Sequence, residues 1–407
     1  MKERASRVID TCRQIARMTE EPGRITRRFL TPPVRDVHAL LSQRMRTLDM
    51  QVHVDAIGNL RGLWMPANAD GKRLVLGSHI DTVPDAGAFD GVLGVVLALE
   101  WVATAREQNL RTPLEVIAFS EEEGVRFDVP FLGSRAVAGT FDPALLDLRD
   151  RDGLSVRDAI TAFGLDPDAI GEARLAQDAL GFVEVHIEQG PVLEAEQLSV
   201  AAVSAIVGQT RGVLRFHGEA SHAGTTPINL RRDALAAAAE WISVVERTAL
   251  NTPGLTATVG KIEVTPNAAN VIAGRASVTL DCRHESDAAR HTAVSELLNH
   301  ATQIAQRRGI AVECDQQMNQ ASVPLDPNLT ACMTQAVEYA GCSPRLMTSG
   351  AGHDAMVMAS CIPAAMLFVR SPGGISHHPS ESVRAEDVEA ALHVGENFLK
   401  LIEAAIR

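Results

Sequence analysis

Several short apolar runs in this chain lead into side chains of metal-binding type. Leu74-Val75-Leu76 precedes His79, and Val116-Ile117-Ala118-Phe119 precedes Glu121-Glu122-Glu123. Phe182-Val183-Glu184-Val185 runs into His186, and Met366-Leu367-Phe368-Val369 comes shortly before His377. Ligands of an α/β sheet gather beyond the carboxyl ends of its strands, so residues remote in sequence can converge there. Asp90 joins them, immediately ahead of the small-apolar run Gly91 to Leu99, which reads as a buried helix. Imidazoles and carboxylates with no cysteine among them form a mixed N/O donor set, suited to Zn, Mn, Co or Ni rather than to a thiolate zinc site. If Asp90 bridges, the set builds a two-metal centre, in which paired ions share a water and polarise a carbonyl oxygen. The chemistry this points to is hydrolysis.

Each residue alone has a plainer explanation. A histidine at a strand end is commonly just hydrogen-bonded in the core or at the surface. Glu121-Glu122-Glu123 alone is an acidic loop, and Asp90 alone is an N-cap for the helix that follows. Their recurrence at strand ends is what the plain readings leave unexplained. Asp81 adds to it: residues two apart on a strand share a face, so Asp81 can orient His79 as a ligating histidine requires.

The motifs together resemble the M20-type metal-dependent amidohydrolases. They are Gly77-Ser78-His79-Ile80-Asp81-Thr82-Val83, Asp90-Gly91, Glu122-Glu123-Gly124-Val125-Arg126-Phe127, His186-Ile187-Glu188-Gln189-Gly190, His222-Ala223-Gly224-Thr225-Thr226-Pro227 and Gly350-Ala351-Gly352-His353-Asp354-Ala355. The similar branch holds allantoate amidohydrolases and N-carbamoyl-L-amino acid hydrolases. Asp85-Ala86-Gly87, Phe131-Leu132-Gly133-Ser134 and Leu367-Phe368-Val369-Arg370 look more like the former, while Gly133 to Gly139 looks equally like the latter.

The resemblance implies roles. His79 and His186 would hold one divalent ion and Glu123 and His377 the other, Zn or Mn with Co or Ni as options, and Asp90 would bridge. Glu122 would be the general base, and His222 would stabilise the tetrahedral oxyanion, with action across a dimer left open. Gln189 would contact the ureido group, and Asn270 and Arg283 the substrate carboxylate, a task suited to a planar guanidinium. A cis peptide at Asp90-Gly91 is a further implication. The tract Gly350 to His353 reads equally well as a tight turn against the sheet.

These side chains need a scaffold, and the chain is long enough for two domains: its 407 residues exceed the roughly 250–300 at which single cores stop growing. Strand and helix alternate up to about residue 207, apart from a polar stretch at 141–180. From about 210 the pattern becomes strand 214–217, helix 229–248, strands 256–264 and 275–283, helix 286–308 and strand 310–316. That β-α-β-β-α-β order is a ferredoxin-like unit inserted into another domain. A helix at 327–340, a strand at 364–370 and a final amphipathic helix restore the first pattern. The expected fold is therefore α/β, with a discontinuous catalytic domain (1–208 and 325–407) on a mixed, mostly parallel sheet. Residues 209–324 form the insert, which by resemblance is a lid and a homodimer interface.

Composition narrows the function. A net charge of −13 argues against a nucleic-acid surface, while a small anion such as a ureido carboxylate can still bind where cations reverse the local field. Six cysteines without a CxxC pair read as reduced thiols. No run approaches the 18 or so apolar residues of a membrane span, and Met1 to Arg4 opens no signal core, so the cytoplasm is the expected location. The basic stretch Arg24 to Arg28 reads as a solvated face. The expected activity is allantoate hydrolysis, with N-carbamoyl-L-amino acid hydrolysis next and a non-catalytic metabolite-binding dimer last.

Overall fold

The apolar runs fold as strands, because β-branched and aromatic residues pack well on a pleated, buried surface. In chain order the first are β1 (Gln51–Val54), β2 (Leu60–Trp64), β3 (Arg73–His79), β4 (Leu114–Phe119), β5 (Ala179–Ile187) and β6 (Val200–Ile206). A second group follows: β7 (Gly208–His217), β8 (Ser221–His222), β9 (Thr256–Thr258), β10 (Ile262–Thr265), β11 (Val271–Ile272), β12 (Arg275–His284) and β13 (Ala311–Gln320). The chain ends with β14 (Val323–Pro324), β15 (Leu346–Ser349) and β16 (Ala364–Val369). This computed structural model describes residues 1–69, 71–176 and 178–406. Its contacts divide the chain into two units, Met1–Ser204 with Leu325–Arg407, and Ala205–Pro324.

The larger sheet runs β1-β2-β4-β3-β5-β16-β6-β14, with β15 beside β6. Its centre, β4-β3-β5-β16, is parallel throughout, and the flanking pairs β2-β4 and β16-β6 are antiparallel. This is the mixed, mostly parallel α/β sheet that the alternation of elements implied. β4 and β16 are buried along their whole length, as strands covered on both faces must be. The helix Val92–Glu107 is apolar nearly all round and buried over most of its length, so it acts as core rather than as a surface helix. It lies so close to the sheet that a Cβ on Gly94 would fall 2.0 Å from the Val185 carbonyl oxygen.

The second unit has its own antiparallel sheet, β10-β12-β7-β13, with β9 also on β12. Burial alternates residue by residue along β7 and β12, so one face of the sheet is core. The helices Ala234–Asn251 and Asp287–Arg307 contribute to that core, where the Trp241 indole N–H donates to the Leu297 carbonyl at 2.9 Å.

Two local expectations are corrected. The Arg24–Arg28 stretch is not uniformly a solvated face, because Arg27 is buried, donating to the carbonyls of Ile80 (2.6 Å), Met18 (3.0 Å) and Ile15 (3.2 Å). A guanidinium can be buried where carbonyl oxygens receive its fork of donors. The Asp90-Gly91 peptide is trans: among the described residues the cis bond is Thr265-Pro266. The turn is made instead by Gly91 at φ 65°, where a Cβ would lie 2.5 Å from the His79 ring.

His38, in the helix Pro32–Thr47, is buried edge-on to Phe163, and its Nε2 has no hydrogen-bond partner. Burial, and secondarily Arg35, lowers its pKa to about 4. Above pH 6.5 the residue is neutral in both folded and unfolded chains. Between pH 6.5 and 4 the unfolded chain takes up the proton first, which costs stability at up to about 1.4 kcal/mol per pH unit. Denaturant unfolding of H38F should therefore lose less stability than the parent protein between pH 7 and pH 4.5; equal losses would contradict this.

Candidate active site

The strand ends deliver the predicted side chains to one place. His79 closes β3, His186 lies near the end of β5, the Glu121-Glu122-Glu123 loop follows β4, and His377 lies beyond β16. Asp90 sits among them. Its Oδ1 is 3.0 Å from His186 Nε2 and 3.7 Å from His79 Nε2, and its Oδ2 is 3.1 Å from His377 Nε2. His377 Nε2 is in turn 3.6 Å from Glu123 Oε1. Asp90 is not the N-cap of the following helix, whose cap residue is Gly91. Two donor groups result, His79-Asp90-His186 and Asp90-Glu123-His377, and a third places Glu122 with His79 and Glu123.

The imidazole tautomers follow from their backbone partners. His79 Nδ1 lies 3.0 Å from the Asp81 carbonyl and His186 Nδ1 lies 2.9 Å from the Ile187 carbonyl. A carbonyl only accepts, so both Nδ1 atoms carry the proton and both Nε2 lone pairs point inward. Those two Nε2 atoms are 3.4 Å apart, and the buried Asp90 Oδ1 facing them has no aligned hydrogen-bond donor. Lone pairs and an unpartnered carboxylate oxygen turned toward one point suit a divalent cation, so the donor set fits a metal.

Without a cation, electrostatics strain the cluster. Burial disfavours an ionised Asp90, but His186, His377 and His79 outweigh it and hold the pKa well below the usual value. Asp90 leads the causes that raise His377 to about 9. Burial, then the Asp90 charge, pushes Glu123 up to about 7. Glu122 rises well above its usual value chiefly through burial, with Glu123, Asp354 and Asp81 adding to it against His79. Glu121, although adjacent in sequence, is not among the charges that raise Glu122. Its carboxylate turns away to accept the amides of Phe29 (3.1 Å) and Arg126 (3.2 Å).

Asp81 does more than its expected role. Its carboxylate stands 3.5 Å from His79 Nδ1, but it also accepts the Glu122 amide (3.0 and 3.1 Å) and the Glu123 amide (3.0 Å). It thereby ties the glutamate loop to β3. Gln189 donates to Asp90 Oδ2 (3.1 Å) and Ser376 Oγ (3.2 Å). Gln189 and His377 both adopt positive φ, at 58° and 54°, which is uncommon for residues other than glycine and concentrates at functional sites.

The other predicted residues belong to the second unit. His222, exposed on β8, accepts the amides of Gly224 (3.1 Å) and Thr225 (3.2 Å) on Nδ1, which leaves Nε2–H as an outward donor. Asn270 is exposed on the neighbouring strand's approach, its carbonyl accepting the Ala223 amide at 3.0 Å. Arg283, on β12, pairs with Asp281 through Nε at 2.8 Å and Nη2 at 2.9 Å.

Several site residues escaped the sequence reading. Glu184 shares a strand face with His186, and its carboxylate accepts Ser78 Oγ and the Ala355 amide, both at 2.8 Å; its spacing of two from His186 was the available signal. His353 is buried, with its ring 4.5 Å from that of His186 and Nε2 2.7 Å from Ser349 Oγ, so its tract does more than turn the chain. Glu381 accepts the Phe89 and Asp90 amides, and nothing in its local sequence marked it.

A mostly parallel α/β sheet with buried imidazoles and carboxylates at its carboxyl edge is the build of a metal-dependent hydrolase. Chain-wide comparison makes this specific: residues 75–401 match Peptidase family M20/M25/M40, and the chain belongs to that family. It is 38% identical to a probable allantoate deiminase of Oryza sativa subsp. japonica, over 95% of this chain and 86% of that one. It is 36% identical to an N-carbamoyl-L-amino-acid amidohydrolase of Paenarthrobacter aurescens, over 99% of each. Among solved structures, an amidase of the hydantoinase/carbamoylase family from Burkholderia multivorans superposes with a TM-score of 0.91 at 32% identity, covering 98% of this chain and 97% of that one.

Because the Asp81 carboxylate holds the amides on either side of the Glu122 side chain's origin, D81A should lower kcat by about 10–100-fold. The His79 tautomer rests on the Asp81 carbonyl and should survive. Steady-state kinetics on the metal-loaded variant checks this, and an unchanged kcat would refute it.

Proposed function

We propose that the protein hydrolyses a ureido C–N bond of a small carboxylate, with allantoate as the favoured substrate and N-carbamoyl-L-amino acids as the alternative. One observation carries the hydrolytic reading: Asp90 presents its two oxygens to separate donor groups while Glu122 adjoins both His79 and Glu123. The rice relative's name supports allantoate, and the full-length match to the Paenarthrobacter enzyme keeps the carbamoyl reading alive.

In this reading His79 and His186 would hold one divalent ion and Glu123 and His377 a second, with Asp90 shared between the two donor groups. Zn or Mn is favoured by the mixed N/O donors. When bound, such ions polarise the scissile carbonyl and acidify an attacking water. Glu122 takes the proton from that water on its carboxylate and returns it to the departing nitrogen, the two halves of general acid–base catalysis. Its burial keeps competing solvent away from the exchange. The His222 Nε2–H donates to the oxyanion that develops as the carbonyl is attacked. Arg283, with Asn270, receives the substrate carboxylate, and Gln189 contacts the ureido group. For allantoate, hydrolysis of one ureido arm releases ammonia and carbon dioxide.

The inserted unit is read as a ferredoxin-like lid and homodimer element. The order β10-β12-β7-β13 supports the first. For the second, Leu250 is 80% exposed and Leu235 40% exposed on the helix Ala234–Asn251, apolar side chains that a second copy would cover.

Two experiments decide the reading. E122Q should reduce turnover by about a hundredfold to ten-thousandfold while bound metal stays at the parent level, and retained turnover would remove Glu122 from its role. Ammonia release by the metal-loaded enzyme on allantoate beside a panel of N-carbamoyl-L-amino acids should favour allantoate. Preference for a carbamoyl amino acid would replace the substrate and keep the mechanism.

A further inference from the structure

Glu381 is nearly buried, 5% exposed, and lies outside every donor group described above. One carboxylate oxygen, Oε1, accepts two successive backbone amides, Phe89 N at 2.8 Å and Asp90 N at 3.0 Å. The other, Oε2, stands 3.2 Å from Ser376 Oγ. Ser376 immediately precedes His377, and its Oγ also lies 3.1 Å from Asp90 Oδ2. The Glu381 amide donates to the His378 carbonyl at 3.0 Å, which closes the short turn that directly follows His377.

The packing around this carboxylate is close. A Cβ on Gly87 would meet the Glu381 Cβ and Oε1 at 2.3 Å, so the backbone of residues 87–90 wraps the side chain with no room to spare. Asp90 and His377 come from opposite ends of the chain. No strand pairing joins the segments that bear them, so a side chain must set their register. Glu381 is placed to do so.

We propose that Glu381 is a positioning residue, which fastens the Phe89-Asp90 turn to the Ser376-His377 segment and so presets the distance between two ligands of the cation site. The inference rests on the reading of Asp90 and His377 as ligands. Glu381 itself touches neither cation nor substrate. It acts through the amide of one ligand residue and through the hydroxyl beside the other. A carboxylate accepting two backbone N–H groups from one turn holds that turn far more firmly than solvent would.

The test uses the full chain, with Mn²⁺ or Zn²⁺ alone as the probe in chelator competition and with amide exchange measured on metal-free protein. E381A should weaken ion binding by about 10–100-fold, the usual effect of losing a group that orients ligands. In the same variant the Phe89 and Asp90 amides should exchange faster before any ion is added. E381Q retains an acceptor oxygen and should restore protection of those two amides and most of the affinity. S376A should leave both amides protected while weakening ion binding. A general loss of fold would accelerate exchange throughout and would not be rescued by glutamine.

The proposal is overturned if E381A binds the ion as tightly as the parent, or if the Phe89 and Asp90 amides exchange at the parent rate. The outcomes separate it from the reading on which it rests. If the parent protein binds no divalent ion although E381A loosens those amides, the metal reading of Asp90 and His377 falls while the fastening role stands. If the parent binds the ion and E381A binds it equally, the reverse holds.

Discussion

Everything at this site turns on the Asp90 carboxylate being shared. A buried carboxylate is costly unless paired, and here imidazoles from three separate segments face its two oxygens. The sharing works only if His79, His186 and His377 arrive from different directions, which a parallel sheet provides because its strand ends fan along one edge. It also requires that nothing else fill the space. Gly91 meets that requirement next to the His79 ring, where any side chain would collide. Burial first, and the neighbouring carboxylates with it, push Glu122 and Glu123 above the usual carboxylate range, a cost that a cation among them would relieve.

The same constraint explains the core beneath. The helix Val92–Glu107 begins at the Asp90 turn, the Val92 amide reaching back to the Asp90 carbonyl at 2.6 Å. Gly94 lets its first turn press against β5 just before His186. Position of the ligand and packing of the helix are therefore one problem: a larger residue at Gly94 would move Asp90 relative to His186. This is why a helix with no polar face begins at the most polar point of the unit.

The residues legible in the sequence were those whose signal is local. An apolar run leading into histidine or glutamate identifies a strand end, and β3, β4 and β5 place such residues at the shared edge, while His377 comes from the segment beyond β16. The mostly parallel sheet follows from the same runs. What stayed hidden depends on contacts between distant segments. Arg27 looked like part of a solvated basic stretch because the carbonyls that receive it, on Ile15, Met18 and Ile80, are backbone atoms with no mark in the sequence. Glu381 was silent for the same reason, and His353, though it stands in a family motif, showed no role beyond a turn, since each acquires its contacts only when the chain returns to the first unit. The Asp90-Gly91 turn was misread in a different way: a family expectation supplied a cis bond where positive φ at Gly91 is sufficient.

Asp81 shows how a correct local expectation can still misplace the physics. Period-two spacing brings its carboxylate to His79, and a carboxylate behind a ligating histidine is the familiar orienting arrangement. Yet the nearer partner of His79 Nδ1 is the Asp81 carbonyl, and His186 uses the carbonyl of the residue after it in the same way. Both tautomers are thus set by backbone that leaves the strand end, so they depend on the strand's path rather than on any side chain. The Asp81 carboxylate is then free to hold the Glu122 and Glu123 amides. Ligand orientation and placement of the general base are thereby separated within one residue, its main chain governing the imidazole and its side chain the glutamate loop.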